Sequence, residues 1–368
     1  MDQGPGDLCL SFIPLHKTLG NGQIEQEIVR VPQACSTGTS GLPKLHPRPE
    51  LPSRGRLHGV PWDPRIVRML ERFPALKVIG NTPMVRVDVL RGELPEVEVL
   101  AKMECLNPGG SLKDRPVLRM LLSALEDHRL EPGKTVLDSS SGNAGIAYAM
   151  IGGIIGVPVE IVIPENASIE RKKRLRAHGA RLVFTDAQLG YDEALREVRR
   201  RWKSDPDHYF FCDQYGNDDN WRAHYETTAE EILEQTGGRL THFVVGVGTG
   251  GALTGAGRRL KEHDPRIKIV SIVPEVFPGI EGLKPLGRPE DIVPAILDQA
   301  LIDERVPITS DEAHAMCVRL ACAGFFVGQS SGAYMAGLER VARRERRGRF
   351  VTLFNDLGER YFSTRLWD

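Results

Sequence analysis

Three short runs of this 368-residue chain gather turn-forming residues around groups that could do chemistry. Asn107-Pro-Gly-Gly-Ser-Leu-Lys113-Asp-Arg115 presents one lysine between a turn and an Asp-Arg pair. Ser139-Ser-Ser-Gly-Asn143-Ala-Gly145 collects hydroxyls and a carboxamide, and Gly246-Val-Gly-Thr-Gly-Gly251 follows an apolar run beginning at His242. A buried or cation-flanked lysine has a lowered pKa and becomes an amine nucleophile or general base. The segment Gly248-Thr249-Gly250-Gly251-Ala252 ends a strand pattern and opens a helical one over 253–262. Successive backbone N–H groups and the helix N-terminus would converge there on one phosphate, with the Thr249 hydroxyl as a further donor. Each run also has an ordinary reading when it stands alone. A lone lysine is most often on the surface, and the second run is a plain glycine turn before the helix at 146–155. Gly246-x-Gly248-x-x-Gly251 also satisfies the dinucleotide fingerprint, with Glu275 where a ribose-binding acid would stand.

Taken in order, the three runs resemble those of the fold-type II pyridoxal-phosphate enzymes. Pro164-Glu-Asn-Ala-Ser-Ile-Glu-Arg171, Gln214-Tyr-Gly-Asn217, Ser330-Ser-Gly332 and Gly358-Glu-Arg-Tyr-Phe-Ser-Thr364 extend the likeness. Within that group the chain is similar to the cysteine synthase and cystathionine β-synthase family, above all the B-type cysteine synthases, from about Ile66 onward. The resemblance implies a tryptophan synthase β-like α/β fold, with two doubly wound domains, mostly parallel sheets and helices on both faces. It also implies a small mobile substrate domain, 107–217, inserted into a large cofactor-binding domain of 61–106 and 218–368.

The same resemblance assigns roles. Lys113 would form the Schiff base with pyridoxal 5'-phosphate and then act as general base. Gly248, Thr249, Gly250, Gly251 and Ala252 would hold the phosphate, Asn143 the ring oxygen and Ser330 the pyridine nitrogen. Ser140, Ser141, Gly142, Asn143 and Ala144 would cradle the substrate carboxylate, with Gln214 opposite. Ser140, Ala144 and Ala252 stand where the family usually has threonine, and Ala144 thereby removes a hydroxyl from the substrate loop. Ser330 is neutral and cannot hold the pyridine nitrogen protonated, which favours β-elimination over transamination. The implied reaction is β-replacement on O-acetylserine or O-phosphoserine through an aminoacrylate, with a sulfur nucleophile, giving L-cysteine. Lys284, with Arg288 nearby, would meet a phosphate leaving group, or both are simply exposed loop cations. Asp219-Asn-Trp221 departs from the synthases' proline-containing sequence and looks more like the diaminopropionate synthases. A cystathionine β-synthase or diaminopropionate-type activity therefore stays open. So do two readings from other classes, an NAD-dependent dehydrogenase and a non-catalytic family member.

The elements that must position these residues alternate along the chain. Apolar runs at 97–103, 135–138, 159–163, 181–185, 209–212, 242–247, 268–273 and 349–354 alternate with helical patterns such as 112–130, 223–236 and 311–323. This is the signature of parallel strands covered by helices. Residues 1–60 are proline-rich, carry no sustained strand or helix period, and read as a partly ordered extension. Cys35 and His46 within it sit at a spacing loosely comparable to haem ligands in animal cystathionine β-synthases. Lys and Arg number 48 and Asp and Glu 49, a formal charge of −1, so nothing favours nucleic acid or an anionic membrane. Six scattered cysteines without a Cys-x-x-Cys pair fit free thiols in a cytoplasmic enzyme without zinc. The apolar stretch 146–164 is interrupted by Pro158 and Glu160 and reads as a core helix and a buried strand, not a membrane span. The expected partners are an amino-acid substrate and a sulfur donor, and the family resemblance implies a homodimer.

Overall fold

A computed structural model describes the backbone of residues 10–18 and 24–32, and residues 61–140, 142–286, 291 and 293–367. The chain divides into two compact units, residues 1–54 and 55–368. In the first, β1 (Leu10–Thr18) pairs antiparallel with β2 (Ile24–Pro32), Leu10 opposite Pro32. This corrects the expectation that the extension lacks strands. Ile24, Ile28, Val29 and Val31 are β-branched, and Asn21-Gly22 is hairpin-turn composition, signals masked by the prolines that follow. Cys35 and His46 lie outside the described residues.

The second unit carries two sheets. The larger is built from β3 (Met84–Arg86), β4 (Val97–Lys102), β9 (His242–Gly246), β10 (Lys268–Pro274), β11 (Glu304–Ile308) and β12 (Gly348–Leu353), in the order β11-β10-β9-β12-β4-β3. All its pairs are parallel except β3 with β4. The smaller has β5 (Thr135–Ser139), β6 (Val159–Pro164), β7 (Arg181–Thr185) and β8 (Tyr209–Phe211), in the order β7-β6-β5-β8, all parallel. Every residue of β5, β6 and β9 is buried, as strands covered by helices on both faces require. The strand runs read from the sequence reappear within one residue at either end. β3 and β11 escaped it, being a three-residue edge strand and an edge strand with an alternating pattern around Pro307.

The helices are α1 (Pro64–Arg72), α2 (Asp114–Glu126), α3 (Asn143–Ile155), α4 (Ile169–Ala177), α5 (Gly190–Ser204), α6 (Asp218–Ala223), α7 (Ala229–Thr236), α8 (Gly251–His263), α9 (Ser310–Cys322) and α10 (Gln329–Glu345). Between α6 and α7 the helix continues through a π-helical turn, His224–Thr228. Phe243, Val245, Leu253, Leu338 and Phe350 belong to the core of the larger sheet. Ile146, Tyr148, Ile161 and Leu175 belong to that of the smaller, which Trp62, Ile66 and Ile79 join. The apolar stretch ending at Pro164 is α3 followed by β6, and among the described residues no helix is long and apolar enough to cross a membrane.

Candidate functional site

Lys113 closes the turn that enters α2. The run before it is laced to the chain leaving β12: Cys105 N donates to Phe354 O at 2.9 Å, Leu112 N to Asn355 O at 3.0 Å, and Ser111 bridges Asp356. Asp114, fully buried, accepts from Gly109 N and ties the turn to the helix start; burial pushes its carboxyl up to about 7. The Lys113 side chain is half-buried, and its ammonium makes no hydrogen bond or ion pair among the described residues. Burial lowers its pKa from 10.5 to about 8, with the Asp356 carboxylate opposing the shift. An amine in this state is the nucleophile that imine chemistry needs.

Asn143 is the first residue of α3, and its carboxamide is held at both ends. Nδ2 donates to Asp356 Oδ2 at 2.8 Å, and Oδ1 accepts from Arg360 Nη1. The other Arg360 amino group donates to Gly109 O, in the lysine's own turn. Ser140 Oγ accepts from Gly142 N at 3.2 Å and from Gly145 N at 2.8 Å, which fixes the loop around the helix start. Ala144 packs into the smaller core, so only its backbone is available to a ligand. Ser141 lies outside the described residues. Beneath the loop, Tyr148 OH donates to Asp138 at 2.6 Å, and burial pushes the Asp138 carboxyl up to about 7.

Gln214 Nε2 donates to Ser139 O at 2.9 Å. Asn220 Nδ2 donates both to Gln214 O at 2.7 Å and to Thr249 Oγ1 at 3.1 Å, so one side chain joins the Gln214 segment to the glycine loop before α8. Gly248, Thr249 and Gly250 lead into α8, where Gly251 and Ala252 form its first turn. The N–H groups of that turn lack carbonyl partners within the helix. A methyl on Gly251 would collide with Asn220 Oδ1, which is why the backbone can approach there only as glycine. Ser330, near the start of α10, is buried, and its Oγ accepts from Asn355 Nδ2 at 2.9 Å. Lys284 donates its backbone N–H to Val247 O at 2.7 Å, while its ammonium lies 5.1 Å from the Tyr215 ring centroid. Arg288 lies outside the described residues.

Hydrogen bonds therefore join the Lys113 turn, Asn143 and Ser330 through residues 355–360, and Gln214 and Thr249 through Asn220. Asp356, Arg360 and Asn220 escaped the sequence reading. In the sequence the runs containing Arg360 and Asn220 stand out only as a family signature and as a departure from one, and nothing in the spelling of Asn355-Asp356 marks it. The residues suit pyridoxal phosphate: an unpartnered amine titrating near 8, an open helix N-terminus behind a loop too close-packed for side chains, a carboxamide and a neutral hydroxyl.

A family model described as "Pyridoxal-phosphate dependent enzyme" matches residues 75–356. A cysteine synthase of Aquifex aeolicus is 46% identical over 304 residues, covering 80% of this chain and 92% of its own. Cysteine synthase B of Pseudomonas aeruginosa is 37% identical over 309 residues, 82% of this chain and 99% of its own. Among solved structures, that of an O-ureido-L-serine synthase superposes with a TM-score of 0.74 at 36% identity, covering 80% of this chain and 94% of that one.

Proposed function

The chain belongs to the pyridoxal-phosphate dependent enzymes, among their cysteine synthase relatives, and from that premise we propose that it makes L-cysteine by β-replacement on an activated L-serine with a sulfur nucleophile. The observation that carries the reading is Lys113, an amine with no partner among the described residues and a pKa near 8, laced to the segment that also holds Asn143 and Ser330. The dinucleotide reading of Gly246–Gly251 gives way, because it leaves Lys113 and Asn143 without a role.

Bound cofactor supplies the electron sink that labilises the substrate's α-hydrogen and β-substituent. Lys113 would hold it covalently and, once released by the substrate amine, take the α-proton on Nζ. The first-turn amides of α8 and the Thr249 hydroxyl would seat the phosphate. Asn143 would meet the ring oxygen and Ser330 the ring nitrogen. The backbone of residues 140–144 and Gln214 would orient the substrate carboxylate. O-Acetylserine and O-phosphoserine both fit; Lys284 favours the phosphate ester by charge. The likeness to an O-ureido-L-serine synthase keeps nucleophiles other than sulfide open. The proposal extends to a cytoplasmic homodimer acting on small molecules, with residues 107–217 moving against 61–106 and 218–368.

The deciding experiment is a spectral titration of purified holoenzyme with acetylserine, phosphoserine and serine, each followed by sulfide. A yellow protein fixed by borohydride at Lys113, with a new band on adding one ester and its decay with sulfide, is the expected result. A Lys113→Ala variant as active as the parent would sink the mechanism.

A further inference from the structure

The Gly358-Glu-Arg360-Tyr361 run has no part in the chemistry above, yet it reaches the centre of the site. Asn143 is held by two groups whose hydrogen-bonding sense cannot change. A guanidinium only donates and an ionised carboxylate only accepts. Arg360 at Oδ1 and Asp356 at Nδ2 therefore fix which way the carboxamide points. Asp356 is itself braced: it is fully buried, and the oxygen that takes Asn143 also takes Tyr361 OH at 2.8 Å. The Tyr361 ring lies 5.2 Å from the Arg171 guanidinium carbon, and Arg171 is ion-paired with Glu281. Arg360 in turn reaches Gly109 O, so the group orienting Asn143 also holds the turn that carries Lys113.

We propose that Asp356 and Arg360 are positioning residues that lock the Asn143 carboxamide with its nitrogen toward the carboxylate and its oxygen toward the guanidinium. A primary amide has two N–H donors. The lock commits one to Asp356 and leaves the other as the single donor Asn143 offers the cofactor's ring oxygen. Without it, the amide can turn over and present its own oxygen to another oxygen, which repels. This inference rests on the function proposed above, in which Asn143 meets the ring oxygen.

The test compares holoenzyme of the parent, Asn143→Ala, Asp356→Asn and the double variant. Its readouts are the visible absorption band of the bound cofactor, cofactor per chain, and kcat/KM for the activated serine. Asp356→Asn is expected to retain one cofactor per chain and to shift the band in the same direction as Asn143→Ala. It should lower kcat/KM by about 10- to 100-fold, the range for a hydrogen bond to a charged group. The double variant should fall no further than Asn143→Ala, because the carboxylate acts through the amide. A band left at the parental position, or losses that multiply in the double variant, would overturn the inference. If Asp356→Asn does not fold, Arg360→Gln against Arg360→Lys decides: lysine, a donor-only cation, keeps the band nearer the parent, and equal effects refute the lock. Parental holoenzyme that gives no spectral response to either ester removes the proposed function and this inference together. A normal parental response with multiplying losses removes the inference alone.

Discussion

At the scale of single residues, the protonation of Lys113 sets what the site can do at neutral pH. Its pKa, lowered from 10.5 to about 8 by burial and held from falling further by Asp356, leaves roughly a tenth of the amine neutral at pH 7, against well under one part in a thousand for an ordinary lysine. Only the neutral amine attacks an aldehyde. The rate at which apoprotein captures pyridoxal phosphate should therefore climb about tenfold per pH unit up to ~8 and level off above it. Stopped-flow absorbance between pH 6 and 10 measures this; a rate still climbing at pH 10 would mean an ordinary, solvated lysine. Lys113 was legible in the sequence because its neighbours are turn residues in a recognisable order. Asp356 was not: its meaning comes from a fold that brings the end of β12 beside residues 111 and 143, more than two hundred positions earlier.

At the scale of elements, α8 and the helix that precedes β9 are fitted so closely that a single methyl should be felt. A Cβ on Gly255 of α8 would collide with Trp221 O and crowd Tyr225 N and His224, at the point where α6 passes into the π-helical turn His224–Thr228. Such turns concentrate at functional sites, and this one puts His224 fully inside the protein, where burial pushes its imidazole down to about 3 and keeps it neutral. Gly255→Ala should cost about 1–3 kcal/mol by overpacking, read as a lower urea midpoint. It should also weaken cofactor binding, because the start of α8 is the proposed phosphate seat. Thr309→Ala, which removes the capping box at α9, should cost about 1 kcal/mol with cofactor affinity unchanged. The sequence showed one helix over 223–236 but not the π turn, because an inserted residue only rotates the apolar stripe. It likewise placed α3 at 146–155, three residues late, since Ser140 serves the helix start from outside the apolar pattern.

At the scale of the molecule, the helix that follows the lysine is tied to the larger sheet by a buried ionic cluster. Arg115, two residues after Lys113, is fully buried and forks between carboxylates from different elements. Nε and Nη2 donate to Glu104, which follows β4, at 2.7 and 2.8 Å; Nη1 and Nη2 donate to Glu231 of α7 at 2.6 and 2.8 Å. Lys102, the last residue of β4, pairs with Glu231 at 2.6 Å. Burial alone would raise the Glu231 carboxyl, but Arg115 and Lys102 outweigh it and hold it down at about 2. The two cations balance the two anions, so the cluster is neutral as a whole and strongly destabilising if broken. Replacing Arg115 by methionine strands two buried carboxylates against one lysine, and should cost about 3–5 kcal/mol. Because the group is shielded from solvent, that loss should change little between low and high salt. Adding Glu104→Gln to the methionine variant should recover stability, since it removes one of the unpaired charges, whereas Glu104→Gln alone should destabilise. Urea unfolding of the four proteins measures the cycle, and strictly additive losses would mean the four side chains do not act as one unit. Arg115 also carries the start of α2, so the methionine variant should bind pyridoxal phosphate more weakly even where it remains folded. The start of α2, two residues beyond Lys113, is thus held by the same charges that tie that helix to β4 and α7.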